Sequence, residues 1–195
     1  MEIFRKFRRC SALLIALALV VVMSACYATS VYPFYKEGDL TYEPDLLGSW
    51  NSVSDNAKTN LIIKPGQKEK EYLIIEIVDG KALVYESHLF EFNKSRYLDV
   101  IPNDKPSKDP SKDDANILLT HSLWKVVLVR DKLQFFLLDE KKLEEISDRA
   151  NARYRKVNEN IVLTGTTDEI QDLMGNHMEE LFRNSTPALE LAREK

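Results

Sequence analysis

Cysteine is nearly absent from this sequence. The chain has 195 residues and only two cysteines, Cys10 and Cys26. This count excludes the disulfide-dense class of small exported domains, so the stability of the fold must come from packing. Cys26 lies in the stretch VVMSACYATS, residues 21–30. A buried thiol, half of a disulfide and a site of lipid attachment are the three roles open to it.

Long apolar runs are also scarce, and the run at the N-terminus is short. Residues 1–10, MEIFRKFRRC, are basic, and residues 11–23, SALLIALALVVVM, carry no charge. That run is shorter than the ~20 residues that a membrane-spanning helix usually needs. A positive start, a short apolar core and small residues before a break are typical of a cleaved export signal. We therefore predict a signal peptide over residues 1–25.

The end of the apolar run is Met23-Ser24-Ala25-Cys26. It resembles the lipobox of bacterial lipoproteins, with Met23 where Leu is usual. The resemblance implies that Cys26 becomes the first mature residue and carries acyl groups. The alternatives are a signal anchor or an ordinary secretory signal with an incidental Cys26. Cleavage removes Cys10, however, and would leave Cys26 unpaired in an exported protein, which acylation explains.

The residue after the lipobox cysteine bears on the location of the protein. In lipoproteins of diderm bacteria, an Asp at that position commonly signals retention in the inner membrane. This chain has Tyr27 there. The resemblance therefore implies a bacterial cell-envelope protein on the outer membrane, facing the periplasm, or on the outer face of a monoderm membrane.

Basic residues are in deficit once the signal is removed. The whole chain has 27 Lys and Arg against 31 Asp and Glu. Residues 1–25 hold four of the basic and one of the acidic residues, which leaves 23 against 30 and a net charge of −7. An acidic body argues against nucleic-acid binding. The partner expected from the sequence is the membrane, reached through the N-terminal acyl chains.

Familiar catalytic motifs are missing as well. The sequence has no Gly-x-Ser-x-Gly, P-loop, dinucleotide fingerprint or His-Glu-x-x-His motif, and no mature cysteine is free to act as a nucleophile. His88, His121 and Asp99 could approach one another on strands and form a metal site. Ordinary polar residues of a barrel wall are the favoured interpretation. We assign no catalytic residue, metal or cofactor, and expect a non-catalytic protein.

Strand patterns dominate the chain from residue 47 to residue 138. Short runs rich in β-branched and aromatic residues alternate with turn residues. Asp79-Gly80 predicts a tight hairpin, and Asn93-Lys94 and Arg130-Asp131 predict similar connections. Consecutive strands with short turns form an antiparallel up-and-down meander. The charged residues 102–116 predict a long loop.

The flanking segments have different patterns. Residues 26–45 form an N-terminal linker whose aromatic content predicts contact with the folded body, although its prolines and glycine make a regular element unlikely. Apolar spacing predicts one helix over residues 139–158. Thr166 and Glu169 predict a capping box that opens a second helix. The last ten residues look frayed, so the folded domain is placed at residues 46–185.

Gly48-Ser49-Trp50 in DLLGSW resembles the first strand of lipocalin-like barrels. Those proteins place a tryptophan at the closed end of the barrel, often stacked on an arginine from a late strand. The resemblance implies that Gly48 and Trp50 form this barrel-closing motif, with Arg130 as the cation. A core tryptophan at a strand start is the alternative. The fold class expected is mainly β, a lipocalin-like barrel packed by two C-terminal α-helices.

The layout of residues 47–183 is also similar to that of bacterial lipoproteins of unknown function. They share the Gly-x-Trp strand, a strand like that ending at Pro102, and a Thr-rich helix cap like that at Thr166. This resemblance implies no activity. From the lipobox and the barrel pattern, we expect a lipid-anchored protein whose barrel holds a small apolar or amphipathic ligand. The alternative is a structural or protein-interaction module of the envelope with a filled barrel.

Overall fold

The computed structural model describes residues 28–53, 59–78, 80–103, 119–157, 160–182 and 186–194. The predicted signal peptide, Cys26 and most of the 102–116 loop lie outside these residues. Within these residues, eleven strands and two α-helices follow one another. They are β1 (Thr29–Ser30), β2 (Gly48–Ser52), β3 (Thr59–Pro65), β4 (Glu71–Val78), β5 (Lys81–Phe92), β6 (Ser95–Pro102), β7 (His121–Val129), β8 (Lys132–Leu137), α1 (Glu140–Arg149), β9 (Tyr154–Val157), β10 (Asn160–Leu163), α2 (Thr167–Leu181) and β11 (Leu189–Arg193).

Eight of these strands close into an antiparallel barrel. β2 to β8 pair in chain order, and β11 pairs with both β8 and β2 and so completes the ring. The predicted fold class is confirmed: the protein is mainly β, with a lipocalin-like closed barrel and two helices packed outside it. We call the end where β2 begins the closed end, and the end where β2 finishes the mouth.

The tight turns follow the sequence prediction. Gly80 has φ +78° between β4 and β5, and Asn93 and Lys94 have φ of 49° and 62° between β5 and β6. Arg130, between β7 and β8, has φ 55°. A positive φ at these positions matches the twist of the flanking antiparallel strands, which is why such short connections join neighbours in the ring.

The last strand of the barrel corrects the prediction for the C-terminus. Residues 186–195 looked frayed, and the domain was ended at residue 185. Instead, β11 fills the position between β8 and β2, with Leu191 opposite Leu133 on one side and Ser52 on the other. A short strand of mixed polarity carries little local signal. Its position is decided by the two strand edges that it satisfies.

The helical region differs from the prediction over residues 139–158. α1 ends at Arg149, and Tyr154 and Val157, which lie in the range predicted as helix, belong to β9. Leu143 and Ile146 of α1 are buried, whereas Val157 is 52% exposed. The capping box that opens α2 is confirmed, since the Thr166 and Glu169 side chains each accept a hydrogen bond from the other residue's backbone N–H.

The N-terminal segment lies against the barrel, as its aromatic content predicted. Phe34 is 2% exposed, and the Gln171 side chain of α2 donates to its carbonyl oxygen. The segment also contains β1, which was not expected. β1 pairs with the start of β7 and, in parallel, with β10, so β1, β10 and β9 extend the sheet beside the barrel.

Apolar side chains form two separate cores. One core fills the inside of the barrel around Trp50. The other lies between the outer wall of the barrel, the N-terminal segment and both helices, around Phe90, Leu143 and Leu173. Neither helix in the described part of the chain is long and apolar enough to cross a bilayer.

Candidate functional site

The closed end of the barrel is built around Trp50. Its side chain is 0% exposed, and its indole N–H donates to the carbonyl oxygen of Leu46 at 2.9 Å. The guanidinium carbon of Arg193 lies 4.2 Å from the centroid of the Trp50 ring. A cation this close to an indole face is held by the negative charge of the ring face. The barrel-closing motif implied for Gly48 and Trp50 therefore has its cation.

That cation is Arg193 and not Arg130, which corrects the sequence prediction. Arg193 lies directly opposite Trp50 in the register of β11 and β2. It also donates to the carbonyl oxygens of Leu47 and Asp45. Arg130 is exposed in the turn between β7 and β8. The error followed from the C-terminus, because a chain read as frayed after residue 185 leaves β7 as the late strand with an arginine at its end.

Gly48 has a physical role in this arrangement. Its φ is +130°, a region that residues with a Cβ rarely adopt. A Cβ added there would lie 2.9 Å from Nη1 of Arg193. The Gly-x-Trp pattern thus lets the guanidinium cross the start of β2 and reach the indole.

The closed half of the barrel is filled by its own side chains. Tyr72, Ile74 and Leu89 are 0% exposed, and Leu61, Leu98 and Phe135 are at most 2% exposed. A cavity wide enough to hold water would leave exposed surface on the side chains that line it. The described residues of this half therefore leave no room for the apolar ligand expected inside the barrel.

The mouth half is more open. Alternation along the strands directs Glu76, Tyr85 and Trp124 inward. The Tyr85 hydroxyl donates to Glu76 at 3.1 Å, and the Tyr85 and Trp124 rings meet edge to face with centroids 6.0 Å apart. These three side chains are only partly buried. They lie at the mouth side of the filled core.

A polar cluster lies on the outer wall, beneath the N-terminal segment. Asp99 of β6 is 0% exposed, and its two carboxylate oxygens have different partners. One oxygen lies 2.6 Å from Nδ1 of His121, and the other accepts from the backbone N–H of Phe34 at 2.8 Å. Burial of a carboxylate is costly unless hydrogen bonds replace its water. Asp99 therefore ties β7 and the N-terminal segment to β6.

His88 and Glu71 extend this cluster. His88 lies opposite Asp99 on one side and opposite Glu71 on the other. Burial lowers the pKa of His88, although the charges of Glu71 and Asp99 act in the opposite direction. The Tyr35 ring covers His88 at 5.1 Å between centroids. Burial, together with the charges of Asp99, Glu71 and Glu37, raises the pKa of Tyr35 to about 12.

Glu71 also holds the turn between β3 and β4. Its side chain accepts from the backbone N–H groups of Gln67 and Lys68 at 2.7 and 3.0 Å. Burial raises the pKa of this carboxyl, but these two hydrogen bonds and the Lys68 charge bring it below its usual value. Glu71 is thus held as a carboxylate by the turn that it organises.

His88, His121 and Asp99, considered above as a conceivable metal site, lie close together in the structure. Across the residues that the structure describes, no group of three or more His, Cys, Asp and Glu side chains has the geometry to hold a metal ion. Hydrogen bonds of the cluster join β6 to β7 and to the N-terminal segment, and Tyr35 packs over His88.

Two surface clefts lie outside the barrel, against α2. One, of about 480 Å³, is bordered by Leu163, Gly165 and Ile170. The other, of about 570 Å³, is bordered by Tyr97, Lys125 and Phe182. The Lys125 ammonium lies 5.7 Å from the centroid of the Phe182 ring. Neither cleft includes the His121–Asp99 pair.

Comparisons with protein-family models, with curated proteins and with solved structures found no match for this chain. The resemblances to lipocalin-like barrels and to bacterial lipoproteins therefore rest on the residues given for them.

Sequence reasoning missed two contacts that organise this molecule. Arg193 was overlooked because its strand has no strong pattern, although an Arg near the chain end was a usable signal. The bond from Phe34 to Asp99 joins residues 65 positions apart, and no local pattern reports it. Cys26, the site predicted for lipidation, lies outside the described residues.

Proposed function

We propose that this protein is a membrane-anchored lipoprotein of the bacterial cell envelope, and that its barrel is a non-catalytic module for binding another envelope protein. One observation carries the choice of a protein partner over a small ligand. The barrel is filled at its closed half by Trp50, Tyr72, Phe135 and their neighbours, with side chains at most 5% exposed. A barrel filled at its closed half has little room for a ligand inside, so we place the binding surface on the outside.

The outer wall supplies a surface suited to a protein partner. Five of the residues that alternate outward on β3, β4 and β5 are aliphatic and partly exposed. They are Ile62, Leu73, Ile75, Ile77 and Val84. The helices cover a different part of the wall, around Phe90, Tyr97 and Leu123. We call the five residues Ile62, Leu73, Ile75, Ile77 and Val84 the aliphatic wall. Contiguous exposed apolar surface on a folded protein commonly marks an interaction site.

Crosslinking in cells tests this proposal. A photoreactive amino acid replaces Ile75 on the aliphatic wall, and in a matched strain it replaces Gln134. Gln134 also points outward, from β8, on the opposite side of the ring. We expect one specific envelope protein to be captured from position 75 and not from position 134. Equal capture from both positions, or none from position 75, contradicts the proposal.

Native mass spectrometry tests the ligand alternative. The chain beginning at Cys26 is purified without its signal and its mass is measured under non-denaturing conditions. We expect the mass of the protein alone, because the side chains of the barrel core are at most 5% exposed and leave little room for a ligand. A bound apolar molecule in stoichiometric amount would favour the ligand-binding function instead.

A further inference from the structure

We propose that the mouth of the barrel rests on the lipid surface, so that the barrel stands on the membrane with its closed end pointing away. The inference rests on the proposed anchoring at Cys26. It adds which surface of the molecule the lipid contacts. The bilayer that carries the anchor thus covers the exposed apolar side chains at the mouth.

The chain between the predicted anchor and the folded body is very short. Ala28 is 5% exposed and belongs to the outer core. Cys26 precedes it by two residues, which span at most ~7 Å. An anchored lipoprotein of this sequence therefore has almost no tether, and part of its folded surface must touch the membrane.

The chain enters the fold beside the mouth of the barrel. Thr29 and Ser30 pair with Ser122 and His121, the first residues of β7. β7 begins at the mouth and runs to Val129 at the closed end. The seven residue-to-residue steps from Ser122 to Val129 span ~23 Å, so the closed end is beyond the reach of Cys26. The mouth and the flank formed by β1, β10 and β9 are the surfaces within reach.

Exposed apolar side chains are concentrated at the mouth. Tyr32, Val53, Leu83 and Leu119 are 46–52% exposed, and all four lie at the mouth. Val53 follows β2, Leu83 is near the start of β5, Leu119 precedes β7, and Tyr32 follows β1. Among the other large apolar residues that the structure describes, only Val157 on the flank is exposed within reach of the anchor. The apolar contact therefore favours the mouth over the flank.

The chemistry of the mouth suits the boundary between lipid headgroups and acyl chains. Aliphatic side chains gain free energy by leaving water, and a tyrosine places an apolar ring and a polar hydroxyl on the two sides of that boundary. The chain without residues 1–25 has a net charge of −7, so attraction to anionic lipid is not the driving force. Contact should occur on zwitterionic vesicles.

The test anchors the protein chemically, so it does not depend on acylation in cells. The chain beginning at Cys26 has a single cysteine. That thiol is coupled to a maleimide-bearing lipid in phosphatidylcholine vesicles. An environment-sensitive fluorescent amino acid replaces Leu119 at the mouth, Val129 at the closed end or Val157 on the flank, and brominated phospholipids serve as quenchers.

We expect quenching at position 119 to exceed that at positions 129 and 157 by roughly two-fold or more, because interfacial side chains enter the headgroup boundary by only ~5–10 Å. Val53→Asp should reduce the quenching at position 119. Val129→Asp is the matched control, since Val129 is 59% exposed and Val53 is 52% exposed. The control should leave the quenching unchanged.

Several outcomes would overturn the inference. Strongest quenching at position 157 would place the flank on the membrane, and weak quenching at every position would place the body away from it. A requirement for anionic lipid would contradict the apolar contact. Anchoring in cells is tested separately with Cys26→Ser. If Cys26 is not the anchor, this variant leaves the amount of protein in membranes unchanged.

Discussion

At the residue scale, a few side chains connect segments that are distant in sequence. Arg193 stacks on Trp50 and donates to two carbonyl oxygens before β2. Glycine is the residue type that fits position 48 without strain, because the backbone φ there is positive and the Arg193 guanidinium lies close to it. Asp99 plays a similar part on the outer wall. Each of these groups adds a side-chain contact between segments that are distant in the sequence.

Replacement of Arg193 measures the closed-end contact. Arg193→Ala should lower the free energy of unfolding by about 1–3 kcal/mol, since it removes a cation from an aromatic face and charged hydrogen bonds from two carbonyls. Arg130→Ala is the control and should change it by less than about 0.5 kcal/mol. Urea unfolding of both variants is the measurement. A larger loss for the Arg130 variant would contradict the assignment.

His88 makes stability depend on pH. Its pKa is lowered in the folded protein by burial, so the unfolded chain takes up the proton more readily. The His88 contribution is therefore intact above the unfolded pKa, about 6.5, and is lost as pH falls from there toward the folded pKa. Urea unfolding between pH 7.5 and pH 5.5 should show a smaller loss for His88→Gln than for the natural chain. An equal loss would contradict this prediction.

At the element scale, β11 decides whether the barrel closes. It is a short strand, yet it satisfies the hydrogen-bonding edges of both β8 and β2. Leu191 on this strand is 0% exposed. β1 has a comparable part on the outside, where it joins β7 to β10. Elements this short have no stability of their own, and they form because neighbouring strands have free edges.

Truncation after residue 185 tests the role of β11. The shortened chain should lose its cooperative thermal transition and aggregate, because β2 and β8 would each expose an unpaired edge and the barrel core would open. Size-exclusion chromatography and thermal unfolding are the measurements. Glu190→Ala, on a partly exposed position of the same strand, is the control and should remain monodisperse. A truncated chain that behaves like the natural one would contradict the topology.

At the scale of the whole molecule, the barrel and its outer layer form one body that begins within two residues of the predicted anchor. The N-terminal segment, treated as a linker over residues 26–45, packs on the barrel from Ala28 onward and is held there by Asp99, Gln171 and Thr167. A body without a tether keeps a fixed orientation at its attachment point. The proposed orientation follows from this feature.

Replacement of the predicted lipidation site tests attachment. Cys26→Ser should move the protein from the membrane fraction to the soluble fraction of the cell envelope, because it removes the thiol that the acyl chain is proposed to modify. Immunoblotting of fractionated cells is the measurement. Ser24→Thr, which keeps a small residue in the lipobox, should remain with membranes. Unchanged partition of the Cys26→Ser variant would contradict lipid attachment at this position.

The sequence by itself determined the elements whose signals are local. Alternating β-branched and aromatic residues, Gly80 and the Asn93-Lys94 turn fixed a meander, and Thr166 with Glu169 fixed the start of α2. Such signals depend on backbone conformation and on periodic burial, both of which neighbouring residues set. The predictions for Cys26 also follow from local pattern, and they stay predictions.

Only the tertiary structure decided the contacts between distant segments. The end of α1 at Arg149, the strand identity of residues 189–193 and the stacking of Arg193 rather than Arg130 all depend on which free edges and ring faces the fold presents. Whether the barrel is hollow or filled depends on how side chains from eight strands meet. These outcomes are settled by packing free energy between residues far apart in the chain, which no local window of sequence contains.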